Sequence, residues 1–213
     1  GAPWSEAVGR VALPLASNAS ALASKAAALK ESLGRTRVRF TGARLSVVLP
    51  GEYNRFIERT GNKSYLLWQK CGLLLQRLWN AAEGQEAFVL VDRHGGRLRY
   101  RKLLRDAFPD CACDIEREDR GGSIYRISNG KHRMWVAFKE GGDRRALPAA
   151  LASMLAKYVR EIYMHAFNQY WQARIEGLKP TAGYGRDARR FLKDIARTVE
   201  REGMDESLLV RGS

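Results

Sequence analysis

The sequence predicts an α/β fold with a mixed sheet flanked by helices. An apolar run, Ala87 to Val91, ends on Asp92, which is typical of a strand buried on both faces. Three further strand-like segments lie between residues 111 and 139, separated by glycine-rich turns. Segments with helical spacing come before and after them. A chain of 213 residues with 45% hydrophobic composition is long enough for a well-buried domain.

The amino-terminal quarter predicts an arm, a helix and a strand. Residues 1–16 are rich in Gly, Pro and Ala and have no clear period, so we expect an arm. The pair Ser17-Asn18 predicts the start of an Ala-rich helix that runs to about Leu33. From Val38 to Leu49 apolar residues alternate with polar ones, which indicates a bent strand or a pair of strands.

Two helices are predicted before the apolar run. The first extends from Glu52 to Thr60, and Asn62 predicts the cap of a second, longer helix. Leucines and Trp79 cover a broad face of this second helix, as expected for a helix packed on a sheet.

The remaining elements follow from apolar spacing and turn residues. Asn129-Gly130 is a strong hairpin signal. The predicted elements are a basic helix from Tyr100 to Phe108, strands from Cys111 to Glu116, Ser123 to Ile127 and His132 to Lys139, and helices from Pro148 to Ile175 and Arg186 to Glu202. We therefore expect an arm and helix over residues 1–37, an α/β domain over residues 38–205 and a polar tail over residues 206–213.

The charge balance favours a polyanionic partner. Lys and Arg outnumber Asp and Glu by 37 to 23, which gives a net charge of +14 and points to nucleic acid. The alternative is a basic surface that serves solubility. No apolar stretch approaches the ~20 residues of a membrane span, and no secretion signal opens the chain. The odd number of cysteines, three, favours a reducing compartment, so we expect a cytoplasmic protein without a membrane partner.

Two carboxylates are candidates for chemistry. Active sites of α/β sheets lie outside the strand ends, so Asp92 is either a site residue or the start of a turn. At about 100° per residue, Glu161 shares a helix face with Met154 and Tyr158, which predicts a carboxylate pointing toward the sheet. The alternative for Glu161 is an ion pair with Lys157.

Four segments together resemble type 2 ribonucleases H. Ala152 to Glu161 is similar to the late helix of that family, in which an Ala-Ser-x-Leu-Ala-Lys run precedes a catalytic acid. Val89 to Asp92 is similar to the strand that ends on a catalytic Asp, and Val47 to Asn62 to the segment before the long helix. Lys179 to Tyr184, followed by Asp187, is similar to the Gly-Tyr turn ahead of the last helix. The resemblance spans roughly residues 38–195.

This resemblance implies a ribonuclease H-like fold and a metal-dependent endonuclease that cleaves RNA in RNA–DNA hybrids or at embedded ribonucleotides. Two Mg²⁺ or Mn²⁺ ions held by four carboxylates would activate water and stabilise the leaving oxygen. Asp92 and Glu161 would be catalytic metal ligands, with Glu161 where the family usually has Asp. Tyr184 would lie near the ribose at the RNA–DNA junction.

The family opens with a strand carrying an Asp-Glu-x-Gly motif, and no such motif precedes Asp92. We therefore expect a fold that lacks the front strands and has little activity alone. An upstream segment, a second polypeptide or a homodimer would complete it. The alternatives are a non-catalytic nucleic-acid-binding module and a subunit that completes a partner's sheet. A hybrid duplex would contact Tyr184 and a set of basic residues: Arg93, His94, Arg97, Arg99, Arg101, Lys102, Lys157, Arg186, Arg189 and Arg190. For His94, a turn histidine without a role is the alternative.

Overall fold

The structure is a computed structural model that describes residues 2–13, 15–82 and 84–212. The chain divides into two compact units: unit 1 comprises residues 1–43 and 157–210, and unit 2 comprises residues 44–156 and 211–213. The helices are α1 (Ala19–Gly34), α2 (Pro50–Thr60), α3 (Lys63–Ala81), α4 (Arg101–Ala107), α5 (Leu147–Gln172) and α6 (Gly185–Arg201). The strands are β1 (Glu86–Asp92), β2 (Ala112–Asp119), β3 (Gly122–Ser128) and β4 (Arg133–Lys139).

Unit 2 contains a four-stranded mixed sheet with the strand order β1-β4-β3-β2. Strands β2, β3 and β4 form an antiparallel meander, and β1 pairs with β4 in parallel over its whole length. The predicted α/β class with a mixed sheet is therefore confirmed. The prediction that β1 is buried on both faces is wrong, because β1 is an edge strand and Phe88 is 76% exposed.

The core of unit 2 lies between one face of this sheet and two helices. Alternate residues of β3 and β4 are buried, as expected for strands with one covered face. These side chains pack against α3 and α4 and against residues flanking α4. The buried cluster comprises Trp68, Leu75, Trp79, Tyr100, Leu104, Phe108, Cys113, Tyr125, Ile127, Met134, Val136 and Phe138.

Asparagine caps fix the starts of two helices where the sequence predicts them. The Asn18 side chain accepts a hydrogen bond from the Ala21 amide at 2.7 Å, and Asn62 accepts one from the Tyr65 amide at 3.0 Å. Each cap satisfies an amide that the first turn of a helix leaves without a partner. The two helices differ in packing, because α3 buries five of its residues and α1 buries none.

The predicted strand between Val38 and Leu49 is absent. This segment has no regular secondary structure, and Val38, Phe40 and Leu45 are exposed. Alternating apolar residues fit a pleated surface only when a neighbouring strand supplies hydrogen bonds. No described strand of this chain pairs with the segment.

Unit 1 is built from both ends of the chain. Trp4 lies in a 3₁₀ turn, Pro3–Ser5, and is 4% exposed. Its indole packs edge-on against Phe167, with ring centroids 4.9 Å apart, and against Tyr170. The prediction that residues 1–16 form an arm is therefore wrong for Pro3–Ser5, because this turn contributes Trp4 to the unit 1 core. Ala2 and Trp4 join a core with Trp171, Leu178, Phe191, Ile195 and Val199.

No helix within the described residues is long and apolar enough to cross a membrane.

Candidate catalytic and nucleic-acid sites

Asp92 lies at the carboxyl end of β1, beside the end of the parallel strand β4. Its register partner is Lys139, and its Oδ1 accepts a hydrogen bond from the Gly142 amide at 3.3 Å. The Asp92 residue is exposed, and no cation of the described chain lies within ion-pair distance of its carboxylate. Adjacent parallel strand ends are where ligands bind in α/β sheets. The carboxylate is therefore accessible there and keeps most of its capacity to accept further bonds.

Arg93 is a predicted basic site residue whose charge is already neutralised. Its guanidinium pairs with Glu140 and donates to the Arg120 carbonyl at 3.2 Å, and its side chain is only 16% exposed. The Arg93 amide also donates to the Lys139 carbonyl at 3.1 Å. These contacts tie the loop after β1 to the loop after β4. They leave Arg93 little freedom to bind phosphate.

His94 packs its imidazole against aromatic rings of the unit 2 core. The ring centroids of Trp68, Tyr100 and Phe138 lie 6.4, 5.8 and 6.2 Å away. Burial lowers the pKa of His94, the nearby Arg97 lowers it further, and Asp92 partly opposes this shift. The neutral imidazole is thus favoured at pH 7. Its Nδ1 is buried without a hydrogen-bond partner among the described residues.

A group of cations that we call the basic cluster follows this loop and continues into α4. Within the described part of the chain, none of its members forms an ion pair. Arg97 donates to the Ser64 hydroxyl at 3.1 Å and Arg101 to the Cys113 carbonyl at 3.4 Å, which leaves their positive charge uncompensated. The members are Arg97, Arg99, Arg101, Lys102 and Arg105, and all except the half-buried Arg97 are exposed.

Asp92 does not form a metal site with other described side chains. Among residues 2–13, 15–82 and 84–212, no three His, Cys, Asp or Glu side chains lie close enough together to hold a metal ion. A two-ion centre needs more oxygen ligands than Asp92 provides. These residues alone therefore do not fit the Mg²⁺ or Mn²⁺ pair that the family resemblance implies.

In unit 1, the loop between α5 and α6 is fixed by a network of hydrogen bonds. The Asn168 side chain donates to the Thr181 carbonyl and accepts from the Thr181 amide, both at 2.9 Å. Asp187, in the first turn of α6, accepts from the Thr181 hydroxyl at 2.6 Å and from the Ala182 amide at 2.9 Å. Hydrogen bonds to Asn168 of α5 and Asp187 of α6 thus fix the conformation of the loop without a ligand.

This loop presents Tyr184 to solvent. The ring is 62% exposed, and the Arg160 guanidinium lies 4.1 Å from its centroid. Arg160 also donates to the Ala182 carbonyl at 2.5 Å, so it is anchored to the same loop. An exposed ring on a rigid support, beside a cation, is suited to stacking on a base or sugar.

Three more predicted nucleic-acid residues lie at the start of α6. Arg186 and Arg189 are exposed and form no ion pair in the described chain, so their charge is available. Arg190 pairs with Asp187 at 2.6 Å and Asp194 at 2.9 Å, and it donates to the Pro180 carbonyl. Arg190 therefore holds the loop in place rather than offering a free charge.

Glu161 lies on α5, where helical spacing predicts a carboxylate that points toward the sheet. Its side chain is 60% exposed and pairs with Arg160 at 2.8 Å, not with Lys157. Met154 and Tyr158 on the same face are also exposed, because the apolar residues that α5 buries, Ala166 and Trp171, lie elsewhere on the helix. Glu161 belongs to unit 1 and Asp92 to unit 2. A metal-ligand role for the pair stays a prediction.

Arg160 and Gly142 contact predicted site residues but were not predicted as site residues from the sequence. Arg160 follows the Lys157 position by three residues, and such spacing places both on one helix face. This spacing could have added Arg160 to the predicted basic residues, but it does not indicate that Arg160 contacts Tyr184. The contact of Gly142 with Asp92 depends on the parallel pairing of β1 with β4, which no local pattern reveals.

Comparisons of the chain with models of protein families, with curated proteins and with solved structures find no match.

Proposed function

We propose that this chain belongs to a cytoplasmic, metal-dependent endonuclease of the type 2 ribonuclease H kind, with a ribonuclease H-like fold. Its substrate is RNA within RNA–DNA hybrids, or ribonucleotides embedded in DNA. The observation that carries the proposal is Asp92, an accessible carboxylate at the end of a parallel strand pair without an ion-pair partner in the described chain.

The charge distribution supports a nucleic-acid substrate. The basic cluster begins five residues after Asp92 in the sequence, and its charges are not compensated by described acidic groups. Cations of this kind bind phosphate oxygens and position a duplex without reading its bases. In unit 1, the ring of Tyr184 and the cations Lys157, Arg186 and Arg189 are also exposed and have the same chemistry.

The proposal needs carboxylates in addition to Asp92. Glu161 is the predicted second ligand, and two further acids would come from an upstream segment or from a second polypeptide. When bound, the Mg²⁺ or Mn²⁺ ions would supply Lewis acidity and an activated water. The residues of this chain would contribute the ligands Asp92 and Glu161, and the basic cluster would bind phosphates of the substrate.

An alternative is a non-catalytic nucleic-acid-binding or subunit-forming ribonuclease H-like module. The observation that favours it is that no three potential ligand side chains cluster anywhere in the described residues. The basic cluster would bind nucleic acid in either case, so the nuclease and the non-catalytic module should bind a hybrid similarly, and only the nuclease should cleave it.

Asp92→Asn separates the two functions. We expect cleavage of a labelled RNA–DNA hybrid in Mn²⁺ to fall at least about a hundredfold, because the variant loses a charged ligand. Hybrid affinity should change less than about threefold, because the basic cluster is intact. The measurement is cleavage and affinity on the same substrate, with and without a polypeptide that supplies the Asp-Glu strand.

The matched control is Asp110→Asn, an exposed aspartate in the same unit. Asp110→Asn should leave both the cleavage of the hybrid and the affinity for it unchanged. If the hybrid binds in a salt-dependent way but is not cleaved with or without the added polypeptide, the non-catalytic binding module is favoured. If the hybrid is neither bound nor cleaved, both functions are refuted.

A further inference from the structure

The outer edge of β1 lacks a partner strand among the residues that the structure describes. β1 pairs with β4 on one side, and no described strand lies on the other. Its middle residues, from Ala87 to Val91, are all apolar, and Phe88 stacks on Trp135 with ring centroids 4.8 Å apart. An open edge with apolar side chains exposes a row of backbone donors and acceptors that favours pairing with another strand.

The opposite edge of the sheet shows how such pairing is prevented. β2 carries five charged residues within eight positions, and its register shifts between Ile115 and Arg117. Charges and bulges are the usual protection of an edge strand. β1 has neither in its interior, since its charges, Glu86 and Asp92, lie at its two ends. The two edges therefore differ in the way expected if only β1 receives a strand.

The same unit contains a segment suited to that edge. Residues 44–49 have the sequence Arg-Leu-Ser-Val-Val-Leu, with two β-branched valines. Leu45 and Val47 are 44% and 39% exposed. Residues 44–48 form no backbone hydrogen bond within the described chain. An apolar, β-prone segment whose amides have no described backbone partner is suited to pair with an unpaired strand edge.

We propose that two copies of this chain associate by strand addition, with residues 44–49 of each copy pairing along β1 of the other. Within one copy the segment and the edge remain unpaired, although each copy contains both. If each copy pairs its residues 44–49 with β1 of the other, both copies have a partner strand on β1 and the dimer has two-fold symmetry. Antiparallel pairing places Arg44 beside Asp92, which has no ion-pair partner in the described chain. This proposal does not depend on the nuclease function.

Matched lysine substitutions test the proposal in the full chain. Val47→Lys changes the segment, Phe88→Lys changes the receiving edge, and Ile115→Lys adds the same charge to the protected edge, where Ile115 is 45% exposed. Sedimentation equilibrium from about 5 to about 200 µM measures the dimer, because its share depends on protomer concentration. We expect Val47→Lys and Phe88→Lys to raise the dissociation constant at least about tenfold, and Ile115→Lys to change it less than about twofold.

Hydrogen exchange gives a second measurement that does not depend on the variants. Amide protection in residues 44–49 and in β1 should rise together with protein concentration. Higher salt should strengthen the dimer, since each copy carries a net charge of +14. A monomer at every concentration, protection that is independent of concentration, or a dimer insensitive to both Val47→Lys and Phe88→Lys would each overturn the proposal.

Discussion

Asp187 is the residue that connects the loop before α6 to the helix itself. Hydrogen bonds from Thr181, Arg190 and Ala182, in that order of effect, lower the pKa of its carboxyl from 3.8 to about 2. A lowered pKa in the folded state means that the ionised form is favoured by folding. The carboxylate therefore contributes stability above about pH 4, and this contribution is lost as the pH falls toward 2.

We expect Asp187→Asn to reduce the dependence of stability on pH in this range. The wild-type chain should lose thermal stability between about pH 4 and about pH 2, and the variant should lose less because it has no proton to gain there. Thermal unfolding followed by circular dichroism at both pH values is the measurement. Asp110→Asn, which lies outside unit 1, should retain the wild-type slope.

Tyr184 is the exposed aromatic residue on the anchored loop. We expect Tyr184→Ala to weaken binding of an RNA–DNA hybrid by about tenfold, because stacking on one base contributes roughly 1–3 kcal/mol. Tyr158→Ala removes a partly exposed ring from α5 without touching this loop and should have a smaller effect. Fluorescence anisotropy with a labelled hybrid measures both, and equal losses would remove the loop from the binding surface.

Among single residues, the two asparagine caps could be predicted from the sequence. Caps depend on three or four neighbouring residues. The ion pair between Arg93 and Glu140 could not be predicted, since its partners lie 47 residues apart, whereas the pairing of Arg190 with Asp187 and Asp194 follows helical spacing. A run of arginines in a sequence does not tell which of them keep a free charge.

At the scale of elements, α1 and α3 have equivalent caps but different surroundings. We expect Asn62→Ala to lower the free energy of unfolding of unit 2 by about 1 kcal/mol, because α3 belongs to its core. Asn18→Ala should leave the main unfolding transition unchanged, since α1 buries no residue. Chemical denaturation compares the two variants. A comparable loss in both would mean that α1 is packed in solution.

The elements that were predicted correctly have a signal within their own residues. Both long helices, α3 and α5, and the meander β2-β3-β4 follow from apolar spacing and turn residues. The segment from Val38 to Leu49 and the edge position of β1 were predicted wrongly for one reason. Strand propensity describes a residue on a pleated surface, and whether a partner strand exists is decided elsewhere in the chain.

At the scale of the whole molecule, the net charge of +14 should dominate binding to nucleic acid. Raising salt from about 50 to about 200 mM should weaken binding to a hybrid by roughly a thousandfold if about six phosphates are contacted, because bound counterions are released. Arg105→Gln should reduce the salt slope by about 1. Arg133→Gln is the control, since Arg133 already pairs with Glu86 at 2.8 Å. A slope near zero would refute phosphate contact.

The position of Trp4 in the unit 1 core has a consequence for how the chain is made. Its ring partners Phe167, Tyr170 and Trp171 lie near the other end of the sequence. During synthesis from the amino terminus, the residues of the unit 2 sheet leave the ribosome before those partners exist. Trp4 therefore has none of these ring contacts while the residues of the unit 2 sheet are being synthesised, and the unit 1 core can form only after α5 and α6 have been made.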